Sequence, residues 1–242
     1  MVPKAAVNPE NSDSAHIFQV TESELLVESP ILALRRDYIR MPEGKIVPRE
    51  IVEHFGSVAI LAWDKTTDKV ALLRHYRSPV AARLWEIPAG LLDISDEDPL
   101  LAAKRELYEE TKLTAHSWGI IADIITSPGF SDEACRIYLA TDIEEKTVEI
   151  PGKIAMDKNS LPTDEEADMQ LFWVDFNSAC DLVLGGEILN SIAVSALLGL
   201  SRMRTQQQPP RETISEFKFR PQALAQRRKS RGIQSGMDMK YF

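Results

Sequence analysis

The chain has 242 residues, 44% hydrophobic and 27% charged, which excludes a disordered or membrane-embedded class and leaves room for one main domain with an appendage. Its net charge of -9 is uneven: from Thr205 onward eight Lys or Arg face three Asp or Glu, so the first 204 residues carry 20 against 34, a net -14. Such a body repels nucleic acid, and it accepts a polyanionic substrate only where local Arg, Lys or bound cations reverse the field.

In chain order, residues 1–16 are polar and expected to fray. Residues 17–53 hold short strand-like runs, "HIFQV", "ILALRRDYIRM" and "KIVPREIVEH", broken by Pro and a "PEGK" turn, and they predict a small antiparallel sheet. The main domain is expected over 54–204. It opens with "FGSVAILAW" and "KVALLRHYR", two apolar runs that read as a buried hairpin, followed by "LWEIPAG", read as a Pro- and Gly-punctuated loop. Further strands are expected at 117–126, 135–141 and 169–175, and helices at 176–185 and 189–204. The fold class is therefore α+β, an α/β/α sandwich with a mixed sheet between helices. Residues 205–242, with "QQQPP" and "AQRRKSRG", read as a flexible basic tail.

Cys135 and Cys180 are too few for a disulfide framework, and no apolar run is long enough to span a bilayer. A cytoplasmic protein with no membrane or nucleic-acid partner is the expectation.

The segment "AAKRELYEETKL" gathers Glu106, Glu109 and Glu110 on a helix that Asp98 caps and Pro99 starts, with Leu100, Ala103 and Leu107 as its apolar stripe. Like charges at these spacings destabilise a helix by some tenths of a kcal/mol per pair, or about that order. A divalent cation would compensate, and Mg²⁺ in particular is held by a few carboxylates while it bridges phosphates. Lys104, Arg105 and Lys112 offer the plainer alternative of a solvated, salt-bridged face.

The surrounding residues favour the site. Gly90, six residues, Glu97, seven residues and then Arg105-Glu106-Leu107-Tyr108-Glu109-Glu110-Thr111-Lys112-Leu113 resemble the signature of the Nudix hydrolases. There are two departures: the first spacer is one residue longer than the family's five, and Lys112 stands where the family has Gly. A non-Gly residue leaving a helix through the left-handed region costs roughly 1 kcal/mol. Within the family, "ALRRD", "LWEIPAGLLD", "SPGFSDE", "EEADM", "GGEILN" and Pro128 are most similar to actinobacterial ADP-ribose pyrophosphatases.

That resemblance implies hydrolysis of ADP-ribose to AMP and ribose 5-phosphate by metal-assisted attack of water on the diphosphate. It implies Mg²⁺, with Mn²⁺ or another divalent cation as substitute and roughly two or three ions acting together. Glu106 and Glu110 would be principal metal ligands, with Glu109 and the Ala89 carbonyl as further ones, and Arg105 would orient a box carboxylate. The loop acid Glu166, with Glu165 as runner-up, would serve as general base. Arg77 suits a phosphate, Glu86 a sugar or base, and Trp85 and Phe130 adenine; the aromatics read equally well as core. Arg49 of the N-terminal sheet would reach a site, and that sheet would form a homodimer. Two alternatives stand beside this: another nucleoside diphosphate derivative as substrate, or a Nudix-fold module that binds ADP-ribose without cleaving it.

Overall fold

The computed structural model describes residues 18–145 and 169–241. The first three strands, β1 (Gln19–Glu28), β2 (Leu32–Arg40) and β3 (Ile46–His54), form an antiparallel sheet in the order β1-β2-β3. β1 is an edge strand and almost wholly exposed.

β4 (Ser57–Asp64) is the axis of the main domain. Val58 to Ala62 have no exposed surface, the pattern of a strand covered on both faces. Ala59 and Leu61 point into one apolar cluster with Phe176, Ala193 and Leu197. Val58, Ile60 and Ala62 point into the opposite one, with Ala102, Ala103 and Leu107. Around this axis the sheet runs β10-β5-β4-β9-β8, where β5 is Lys69–Arg77, β8 Leu113–Ile125, β9 Ala134–Glu145 and β10 Gln170–Asp175. Among the described strands, β4 and β9 are the pair that runs parallel. Helix α1 (Pro99–Thr111) covers one face, and α2 (Phe176–Leu184) and α3 (Ser191–Gln206) cover the other.

The expected β4–β5 hairpin is paired only near its turn, at Trp63 with Val70 and Asp64 with Lys69. Beyond it the strands separate, and "LWEIPAG" fills the gap as two short strands instead of a loop. β6 (Ala82–Glu86) pairs with β5 and β7 (Ala89–Leu91) with β4. The Pro88 carbonyl accepts a 2.8 Å bond from Ile60 N–H between them. The split therefore carries Ala89 and Gly90 across the sheet to face α1.

The C-terminal segment corrects an expectation: it is folded against the domain, not a flexible tail. Arg211 exchanges backbone bonds of 2.8 and 2.9 Å with Ile120 on β8. A Cβ on Gly119 would lie 2.5 Å from Pro210, so the close approach of this segment requires glycine there. Helix α4 (Ala223–Lys229) then packs Leu224 beside Ala33, Phe55, Ile233 and Met239. Its basic excess is matched by acids of the body: Arg227 on Glu53, Arg228 and Arg231 on Glu28, and Lys229 on Asp96. Among the described residues no helix is long and apolar enough to cross a membrane.

Candidate active site

Helix α1 begins as its sequence dictates. Asp98 Oδ1 accepts from Leu100 N–H at 2.9 Å and Leu101 N–H at 3.3 Å, and Pro99 occupies the first turn. It ends at Lys112, whose φ of 61° and ψ of 15° place it in the left-handed region that the missing glycine would have supplied. The lysine repays part of that strain: its amino group donates to the Glu109 carbonyl at 2.9 Å, satisfying a helix-end acceptor with a cation.

Between these ends the carboxylates face β7. Ala89 N–H donates to Glu110 Oε2 at 3.1 Å. Glu106 lies so close to Gly90 that a Cβ there would sit 1.9 Å from its carboxyl carbon. Arg105 binds Glu97 through both edges of its fork, at 3.1 and 3.0 Å, while Nη1 reaches Glu106 at 2.6 Å and Glu109 at 3.0 Å. Burial pushes the Glu106 carboxyl above its usual range, and Arg105 offsets this only in part. Burial alone would depress the Arg105 guanidinium, but the Glu97 hydrogen bond and the charges of Glu106, Glu97 and Glu109 outweigh it and raise it.

As the side chains stand, no three His, Cys, Asp or Glu groups among the described residues converge on one point. Arg105 supplies the positive charge that Glu106 and Glu109 require. The donor set nevertheless fits a hard divalent cation. It consists of carboxylate oxygens on one helical face, held against a backbone whose glycine leaves room for them.

The residues expected to bind substrate fall in three places. Arg77 and Glu86 meet each other: Nε lies 3.0 and 3.2 Å from the two carboxylate oxygens and Nη2 2.7 Å from Oε2. Glu86 is buried and also accepts from Asn190 Nδ2 at 3.2 Å, with His75 Nδ1 at 3.9 Å. Trp85 is half-buried, edge-on to Phe172 at 5.2 Å and covered by the Arg74 guanidinium at 4.9 Å, so its ring serves the core. Phe130 is 58% exposed on a loop whose backbone bonds to Val52 of β3. Arg49 lies in mid-β3, opposite Asp37, with Nη1 on the Pro48 carbonyl at 2.9 Å. Glu165 and Glu166 lie outside the described residues.

Sequence reasoning missed Asn190, which caps α3 through Ile192 and Ala193 N–H and ties Glu86 to that helix. An Asn just ahead of an apolar periodic run was the available signal. It also missed the use of Glu97 as the second anchor of Arg105, eight residues away. A groove of about 400 Å³ between Trp63, Trp118, Met203, Arg204 and Pro209 lies away from the carboxylates and holds none of the expected residues.

Residues 53–187 match the NUDIX domain family. The chain is 45% identical over 216 residues to the ADP-ribose pyrophosphatase of Mycobacterium tuberculosis, an alignment covering 89% of this chain and 99% of that one. It is 32% identical to the ADP-ribose pyrophosphatase of Bacillus subtilis, covering 72% of this chain and 87% of the other. The crystal structure of an ADP compounds hydrolase superposes with a TM-score of 0.63 at 17% identity, over 80% of this chain and 98% of that one, a likeness of fold. The chain belongs to the NUDIX domain family, whose hydrolases use divalent cations.

Proposed function

We propose that this chain hydrolyses ADP-ribose to AMP and ribose 5-phosphate, with Mg²⁺ as its resident cation and Mn²⁺ as a working substitute. The observation that carries this is the seating of Glu106 and Glu110 against the Ala89–Gly90 backbone within an intact Arg-Glu-x-x-Glu-Glu helix. The names of the two bacterial relatives support the choice of substrate.

Glu106, Glu110, Glu109 and the Ala89 carbonyl would hold the cations, roughly two or three ions that together lower the pKa of a water and stabilise charge on the leaving oxygen. Arg105 fixes the direction of Glu106 and Glu109 by anchoring itself on Glu97. Glu166, or in second place Glu165, accepts the proton of the attacking water. At the substrate end, Arg77 has a side chain 41% exposed, so the outer part of its guanidinium meets a phosphate while Glu86 holds the inner part. Phe130 offers an open aromatic face to adenine, whereas Trp85 acts from beneath, by packing. Arg49 contributes across a homodimer formed through the N-terminal sheet. The exposed Phe18, Val20, Leu25 and Val27 on and beside edge strand β1 support that dimer. Two free cysteines suit the reducing cytoplasm.

Turnover of a panel comprising ADP-ribose, dinucleotides, nucleotide sugars and oxidised nucleotides with Mg²⁺ tests the proposal. ADP-ribose should give the highest kcat/KM, with AMP and ribose 5-phosphate as products. Several other compounds ranking above it would reassign the substrate, and binding without turnover would make the chain a sensor.

A further inference from the structure

The spacer between Gly90 and Glu97 is one residue longer than the signature it resembles, and the structure shows what holds it. Asp96, a non-glycine residue, has a φ of 63°, a left-handed conformation that surrounding contacts hold in place. Those surroundings are the end of the chain. Met239 N–H donates to the Asp93 carbonyl at 2.8 Å, Ser95 N–H to the Met237 carbonyl at 2.9 Å, and Gly236 N–H to the Ser95 carbonyl at 2.8 Å. Ile94 and Asp238 face each other as an antiparallel bridge. Lys240 Nζ lies 2.7 Å from Asp93 Oδ2, and Lys229 Nζ 2.5 Å from Asp96 Oδ1. Arg220 reaches the Glu97 carbonyl at 3.4 Å.

The same segment is anchored at its other end to the N-terminal sheet. Arg227 lies on Glu53, whose side chain is 1% exposed, and Arg228 and Arg231 lie on Glu28. It therefore spans from that sheet to the loop that delivers Glu97 to Arg105.

We propose that residues 220–240 are a strap that positions the Nudix loop, with Lys240 as the positioning residue that acts through Asp93, Glu97 and Arg105 on the direction of Glu106 and Glu109. The consequence for hydrolysis rests on the function proposed above; the positioning itself does not. The two lysines differ in weight. Asp96 is about half exposed, and such a pair contributes little. The Asp93 side chain is 6% exposed, so removing Lys240 strands a buried carboxylate inside the loop.

The test uses the full ¹⁵N-labelled chain and follows the Arg105 Nε–H signal, assigned by its loss in Arg105→Lys, beside the Mg²⁺ concentration for half-maximal ADP-ribose turnover. Lys240→Ala should expose Arg105 Nε–H to rapid solvent exchange. It should also raise the Mg²⁺ requirement by about three- to tenfold, short of the effect of losing a direct outer partner of a metal ligand, because Lys240 acts at a remove through Asp93, Glu97 and Arg105. Lys240→Arg should restore both, and Lys229→Ala should leave the Mg²⁺ requirement within about twofold. If Lys240→Ala does not fold, Asp93→Asn weakens the same contact without stranding a charge and should shift both readouts in the same direction. A lowered melting temperature with Arg105 Nε–H and the Mg²⁺ requirement unchanged would reduce the segment to a structural role and overturn the proposal. If the unmodified chain does not turn over ADP-ribose, the function fails while the Arg105 signal still decides the strap.

Discussion

Replacing Gly90 by alanine separates the geometry of the metal ligands from the stability of the fold. A Cβ at this position would lie 1.9 Å from Glu106 Cδ, 2.2 Å from Oε1 and 2.4 Å from Cγ. Carbon atoms settle at about 3.5 Å, so the Glu106 carboxyl has to retreat by about 1.6 Å from its 1.9 Å position. The obstacle is the far end of a flexible side chain, and Gly90 has no positive φ to preserve. Stability should therefore change by no more than about 1 kcal/mol, a shift of about 2–4 °C in melting temperature for a chain of this size. Ligand distances tolerate only about 0.2 Å, and a misplacement near 1 Å costs about 10²-fold in rate. Steady-state hydrolysis over a Mg²⁺ series, beside thermal unfolding, should give at least that loss in kcat with the fold retained. Full activity in Gly90→Ala, or a loss explained by unfolding, would refute the reasoning.

Glu110→Gln should retain the bond from Ala89 N–H and relieve like-charge repulsion, leaving stability within about 0.5 kcal/mol; kcat should fall by more than the roughly 100-fold upper bound for an outer partner. Glu166→Gln should lower kcat by about 10²–10⁴-fold with KM little changed, and if Glu165→Gln does so instead, the base is Glu165. Burial pushes the Cys135 thiol up to about 12. Folding therefore favours the protonated thiol, with a contribution that is intact below the ordinary thiol range and lost as pH rises toward 12. At pH 8 Cys135 should resist a disulfide reagent until denaturant is added, and immediate reaction of both cysteines would contradict its burial. Val27→Asp should convert a dimer to a monomer in solution mass measurements, and an unchanged mass would move the interface elsewhere.

The sequence made α1 legible because its signals are local: Asp98 and Pro99 start it and Ala103 and Leu107 set its buried face, while its left-handed exit at Lys112 lacks the glycine that would have marked it. The seating of the Glu106 side chain against Gly90 was not legible, since nothing in the spacing shows that a carboxylate approaches the β7 backbone so closely. The segment "LWEIPAG" was misread because its Pro and Gly resemble a loop. Its strand character comes from the split between β4 and β5, which only distant pairing creates. The C-terminal segment was misread for a similar reason. Its composition is polar and basic, and the acids that order it lie 133 residues away for Lys229 and 203 for Arg231. Arg77 and Glu86 were read separately, whereas β5 and β6 pair so that Arg77 lies opposite Ala82 and Glu86 opposite Leu73, and the long Arg77 side chain reaches back to Glu86.

The most direct test of the metal centre is a crystal of the full chain soaked with Mg²⁺ and a non-hydrolysable ADP-ribose analogue. The expected density places a cation on Glu106, Glu110 and the Ala89 carbonyl, with the diphosphate bridged to it and Arg105 still anchored on Glu97. A cation bound elsewhere, or a diphosphate seated away from α1, would contradict the account.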